Sequence, residues 1–162
     1  MHLTLQSAAE MHELGLRLGR MLRAGDLVVL TGPLGAGKTT LTRGIGEGMH
    51  VRGPVQSPTF VLARTHPSLA GGPPLVHVDA YRLTDARQLD DLDIDFRRAA
   101  VVVEWGAGML DGIAEEWLEI VIERPAASDA DPDATPDEPR ELTFHVVGAR
   151  WAEAITALEA TA

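Results

Sequence analysis

A three-layer α/β fold built on a mostly parallel sheet is what this sequence predicts, and three observations carry the prediction. Apolar runs short enough to be strands alternate with stretches of helical periodicity. Two of these runs, LVVL (27–30) and AAVVVEW (99–105), are apolar at nearly every position, as in strands covered on both faces. A glycine-rich loop, GPLGAGKTT (32–40), stands between the first run and a helical stretch. The 162 residues suit one domain, 1–162, with a full hydrophobic core.

The elements follow in order. HLTL (2–5) reads as a short edge strand. Ser7 is an N-cap with Glu10 at the capping-box position. Met11, Leu14, Leu18, Met21 and Leu22 then share one face, which predicts a helix over about 8–24, ended by Gly25-Asp26. LVVL is the buried strand, and TTLTRGIGEG opens a helix after the glycine loop. Phe60 to Thr65 reads as a strand, SLAGGPP as a turn, and LVHVD (75–79) as a second strand. Those two form an expected antiparallel hairpin inserted beside the parallel sheet. TDARQLDDL predicts a short helix with Thr84 as N-cap, and 99–105 is another buried strand. WLEIVIE (117–123) alternates as a strand does, with ELTFHVV (141–147) as its partner. Between them, 124–140 is rich in Pro and Asp and has little to bury, which predicts a disordered acidic insertion. ARWAEAITALEA is a terminal amphipathic helix.

Composition narrows the function classes. The formal net charge is −10, which argues against a stand-alone nucleic-acid binder, since such proteins present a basic patch. No apolar run approaches the ~18 residues of a membrane helix. The N-terminus has neither a basic start nor a long apolar core, so no signal peptide is expected. The chain has no cysteine, which removes disulfides and thiolate metal sites, and a cytoplasmic location is expected. Of the fourteen Lys and Arg residues, Lys38 is the only lysine, and it stands in the glycine loop.

That loop fits G-x-x-x-x-G-K-[ST], with an apolar strand before it and a helix after it. Glycine lets the backbone fold around a phosphate where a Cβ would block both φ and approach. The amides of Gly32, Leu34, Gly35, Ala36, Gly37, Lys38, Thr39 and Thr40 are the candidate cradle, aided by the helix dipole. Lys38 offers a flexible point charge to the β- and γ-phosphates, and the Thr39 hydroxyl a ligand to Mg²⁺. The fold expected is therefore a three-layer P-loop NTPase, mostly parallel, with an antiparallel hairpin insertion.

Such a site also needs carboxylates at strand ends. Asp79 ends LVHVD and Glu104 ends AVVVE, so both would emerge at the carboxyl edge of the sheet. Either could coordinate Mg²⁺, directly or through water, or orient an attacking water. The guanine-reading pattern N-K-x-D needs a lysine that this chain does not have to spare, which favours ATP over GTP. Adenine contacts from the N-terminal helix and from Arg140 are the available candidates. His66 and His77 lack ligand spacing and read as structural.

Taken together, GPLGAGKTTLTRG (32–44), SPTF (57–60), HVDAYRL (77–83) and VEW (103–105) resemble the TsaE (YjeE) family of bacterial ATPases required for tRNA threonylcarbamoyladenosine synthesis. The resemblance covers about 75 residues of the core. It implies slow ATP hydrolysis in partnership with TsaD and TsaB. TsaD transfers the threonylcarbamoyl group to adenosine 37 of tRNA, and the ATPase resets that complex between turnovers. Contact with tRNA would be indirect, through the complex, and no membrane is involved. Carried onto this sequence, Lys38 and Thr39 match phosphate and Mg²⁺ residues. Glu104 matches the second Mg²⁺ ligand, and Asp79 an aspartate needed for hydrolysis. Ser57-Pro58-Thr59 matches a switch-like loop, with Thr59 near the γ-phosphate. Tyr81, Arg82 and Trp105 match family positions whose roles stay open: Arg82 as arginine finger or ion pair, Trp105 as nucleotide cover or packing. Pro33, where the family has Asp or Glu, and Ala80, in place of a bulkier residue, depart from the pattern.

Two other classes of function fit the motif. A small-molecule kinase would need an arginine-bearing lid, for which Arg97-Arg98 is the nearest candidate. A nucleotide-gated binding module would hydrolyse only incidentally. The run TDARQLDDLDIDF (84–96) is read as a solvated acidic face, or as a docking surface for a basic partner.

Overall fold

The computed structural model describes residues 1–58, 62–108, 113–124 and 138–160. Within them, seven strands form one sheet: β1 (His2–Leu5), β2 (Leu27–Thr31), β3 (Ala63–His66), β4 (Leu75–Asp79), β5 (Ala100–Glu104), β6 (Trp117–Glu123) and β7 (Arg140–Val147). The helices are α1 (Ala8–Met21), α2 (Lys38–Gly48), α3 (Ala86–Asp90) and α4 (Ala149–Glu159).

Strand order is β1-β7-β6-β2-β5-β4-β3. The four central strands, β6-β2-β5-β4, pair in parallel, and every residue of β4 and β5 is buried. Both flanks are antiparallel, β3 on β4 at one side and β6-β7-β1 at the other. The expected hairpin exists, but β4 is itself a core strand, paired with β5. The hairpin therefore finishes the sheet's edge rather than standing beside it.

The sheet's faces are covered unequally. Met11, Leu14, Leu18, Leu41, Ile45, Trp151, Ile155 and Leu158, from α1, α2 and α4, pack on Val28, Leu30, Val102 and Ile120. The opposite core holds Leu27, Val29, Val76, Val78, Val101 and Val103, covered by Leu89 of α3 and by Phe96, Ile113 and other loop residues. The third layer is thus one short helix and irregular chain.

Local sequence explains most boundaries. Glu10 N–H donates to Ser7 Oγ at 3.2 Å, the cap half of the predicted capping box, while the Glu10 side chain reaches one residue past the cap and accepts from Gln6 N–H at 2.7 Å. α1 stops at Met21, earlier than predicted, because Leu22 turns extended to bury its side chain. Arg23 N–H then bonds Asp26 Oδ2 at 2.8 Å. The cap of α3 is Asp85, not Thr84: Asp85 Oδ1 accepts from Gln88 N–H at 3.1 Å. β3 begins at Ala63, since Leu62 takes a left-handed φ of 66° in a turn closed onto the Pro58 carbonyl. Residues 59–61 and 125–137, and with them Thr59 and most of the expected acidic insertion, lie outside the described residues. Arg140 belongs to β7. Among the described residues no helix is long and apolar enough to cross a membrane.

Candidate nucleotide site

The carboxyl ends of β2, β4 and β5 meet the N-terminus of α2 in a cavity of about 620 Å³. Leu34 to Thr40, Ser57, Asp79, Tyr81, Glu104 and Trp105 line it. Strand register fixes its floor. Asp79 and Glu104 are direct partners across the parallel β4–β5 ladder, and both are buried. Side chains alternate along a strand, so Leu75, His77 and Asp79 of β4 share the face that carries α2.

Three glycines shape the loop above this floor. Gly32, Gly35 and Gly37 have φ of 155°, 76° and 110°, and a Cβ at Gly32 would lie 2.4 Å from the Ile122 carbonyl. Gly37 is the N-cap of α2 and supplies no side chain, so the first amides of the helix have no side-chain cap. Lys38 follows at once. It is 5% exposed, and its ammonium donates to the Gly32 and Pro33 carbonyls at 2.7 and 2.9 Å. The ammonium also lies 3.7 Å from the centroid of the Trp105 ring. Burial lowers the Lys38 pKa, while Glu104 and Asp79 pull it back up.

Thr39 Oγ1 donates to Glu104 Oε1 at 3.2 Å, so the two predicted metal ligands already touch. Asp79 Oδ1 accepts from Tyr81 N–H at 3.0 Å, and its Oδ2 lies 3.5 Å from Ser57 Oγ. Among the described residues no group of three His, Cys, Asp or Glu is placed to hold a metal ion. A hydroxyl and a carboxylate at a phosphate-binding loop fit Mg²⁺, which takes few protein ligands and completes its shell with phosphate and water.

Trp105 sits in the left-handed region at φ 64°, held there by its N–H bond to the Leu30 carbonyl at 2.9 Å. That turn swings the indole over Lys38 and edge-on to Tyr81, ring centroids 5.2 Å apart. Tyr81 and Leu34 are exposed at the cavity's mouth. Arg82 lies on the exposed turn after β4. Arg97 and Arg98 precede β5, at the end of that strand away from Glu104, so they are not placed as a lid.

A second cavity, of about 220 Å³, lies beside the same loop, lined by Ser7, Ala8, Met11, Gly35 to Gly37, Thr40, Glu138 and Arg140. The start of α1 and Arg140, separate candidates in the sequence, meet here. Arg140 Nε donates to the Ala36 carbonyl at 3.2 Å.

One contact behind the site was not anticipated. His77, read as structural, has its Nε2 2.8 Å from Glu104 Oε1. Its two-residue spacing from Asp79 on an apolar strand was the available signal, because it puts both side chains on one face.

Comparison with known proteins bears on the family of the chain. A family model described as "Threonylcarbamoyl adenosine biosynthesis protein TsaE" matches residues 5–131. A Streptomyces coelicolor protein named tRNA threonylcarbamoyladenosine biosynthesis protein TsaE is 56% identical over 147 residues, 89% of this chain and 95% of that protein. A Bacillus subtilis protein of the same name is 38% identical over 130 residues, 80% of this chain and 75% of that one. The crystal structure of Bacillus subtilis YdiB superposes with a TM-score of 0.76 at 29% identity, covering 99% of this chain and 95% of that one.

Proposed function

The chain belongs to the TsaE family of tRNA threonylcarbamoyladenosine biosynthesis, and from that premise we propose that it is a P-loop ATPase that binds and hydrolyses Mg-ATP. The observation that carries the reading is the contact of Thr39 with Glu104 at 3.2 Å, beneath a glycine loop that holds the chain's single lysine.

Each role in this reading is assigned from the chemistry of the side chain and its neighbours. The loop amides and the N-terminus of α2 bind the phosphates. Lys38 exchanges the Gly32 and Pro33 carbonyls for β- and γ-phosphate oxygens, placing one positive charge where negative charge accumulates. Thr39 and Glu104 would hold Mg²⁺, which neutralises charge on the phosphates when bound. Asp79, fixed by the Tyr81 amide and beside Ser57, accepts a hydrogen bond from the attacking water and orients it. Thr59 completes the proposal as a γ-phosphate contact. The smaller cavity at Ser7, Met11 and Arg140 takes the adenine end, with Met11 as an apolar wall.

Activity would be weak in isolation and raised by TsaB and TsaD in the cytoplasm, with tRNA reached only through that complex. The test is phosphate release from ATP without an acceptor, together with multiple-turnover tRNA modification by TsaB and TsaD. Lys38→Ala should abolish both. Modification at the wild-type rate with Lys38→Ala would overturn the proposal.

A further inference from the structure

The polar core beside the nucleotide cavity holds one group that the proposed chemistry has not used. His77 is fully buried, in the middle of a strand whose five residues are all buried. An imidazole in that place costs desolvation, and a Val or Leu would pack there as its neighbours do. Its Nδ1 finds no hydrogen-bond partner among the described residues. Its Nε2 has one, Glu104 Oε1, at 2.8 Å. A carboxylate accepts and cannot donate, so Nε2 carries the proton and the imidazole donates it to Glu104. The same Oε1 takes the Thr39 hydroxyl at 3.2 Å. Glu104 is thus held from two sides, by a rigid ring rooted in β4 and by the first turn of α2.

We infer that His77 is a positioning residue for Glu104: it fixes the carboxylate's rotation so that the glutamate meets a divalent cation together with Thr39. This rests on reading Glu104 as a metal ligand. A Glu side chain otherwise keeps a broad terminal torsion, and ordering it at the moment of binding would weaken the ligand. Outer partners of metal ligands set affinity in this way, and their loss costs about tenfold or more in metal affinity.

The experiment measures ATP binding by calorimetry in Mg²⁺ and in EDTA, for the full-length chain and its variants. The wild type should bind more tightly in Mg²⁺. His77→Leu removes the donor and fills the site. It should lose about tenfold of the Mg²⁺ enhancement, leave affinity in EDTA unchanged and keep the thermal midpoint. His77→Asn, whose amide falls short of Glu104, should behave likewise, which keeps the test independent of how the leucine chain folds. His77→Gln, which carries an N–H near the Nε2 position, should recover most of the loss. In a Glu104→Gln background His77→Leu should add nothing, since both act through one contact. An unchanged Mg²⁺ enhancement in the Leu and Asn variants would overturn the inference alone. Equal loss in Leu, Asn and Gln would also overturn it, in favour of ring packing. Absence of any Mg²⁺ enhancement in the wild type would overturn the reading of Glu104 and the inference with it.

Discussion

Lys38 shows how far single residues were legible. Its isolation as the one lysine, its place after three loop glycines and the threonine behind it all point to a phosphate, and the structure puts it in the cavity with Glu104 and Asp79. Trp105 was not legible in the same way. Sequence offers a tryptophan after a buried strand, which reads equally as packing; only the left-handed turn at φ 64° aims the indole across Lys38. A cation over an aromatic face is stabilised by about 0.5–2 kcal/mol. If the ring orders the ammonium and walls the phosphate site, Trp105→Ala should raise the Kd for Mg-ATP about threefold to tenfold, and Trp105→Phe should recover most of it. Titration calorimetry on the three proteins decides this, and equal Kd values would assign the ring to packing. The contact of His77 with Glu104 was not legible because spacing was judged for ligands along the chain, while Glu104 lies on a neighbouring strand.

At the scale of elements, the N-cap of α1 and the buried strands were readable because their signals are local. The closeness of α1 to α2 was not. Each helix carries two glycines four residues apart, Gly15 and Gly19 facing Gly44 and Gly48. A Cβ at Gly15 would lie 2.4 Å from the Leu41 carbonyl oxygen, and one at Gly44 would lie 2.2 Å from that of His12. Those glycines read as weak helix formers in sequence; in the structure they let two backbones touch. The contact also sets where the start of α1 and the loop before α2 stand around the smaller cavity. Helix propensity alone says that Gly44→Ala stabilises by about 1 kcal/mol. Backbone overlap says the opposite, and it should win: both Gly15→Ala and Gly44→Ala should destabilise by about 1–3 kcal/mol. Urea midpoints at constant m-value would show the sign directly.

For the whole molecule, the strand sequence and the β6–β7 pairing were readable but the full strand order was not, since β1 joins β7 by pairings between residues more than a hundred positions apart. At the opposite edge of the sheet, β3 carries an acid sensitivity that belongs to the fold rather than to the site. His66 ends β3, buried at 4% exposure, and its Nδ1 lies 3.0 Å from the Arg52 carbonyl, to which it donates. Its Nε2 is buried without a hydrogen-bond partner among the described residues. The Arg52 N–H bond to the Pro67 carbonyl and the Val51–Ser68 bridge fasten the same loop to the end of β3. Burial lowers the His66 pKa below its ordinary 6.5, the bond to Arg52 offsets part of this, and the nearby His77 and Arg64 lower it further. Below pH 6.5 the unfolded chain therefore takes a proton that the folded chain resists. The contribution is fully present above that value and is lost as pH falls from it through the folded-state pKa. Global stability from urea denaturation should decline between neutral pH and mildly acidic pH. His66→Asn keeps a donor near Nδ1 and cannot titrate in this range, so its stability should decline less steeply over the same interval. Parallel declines in the two proteins would place the acid sensitivity elsewhere in the fold.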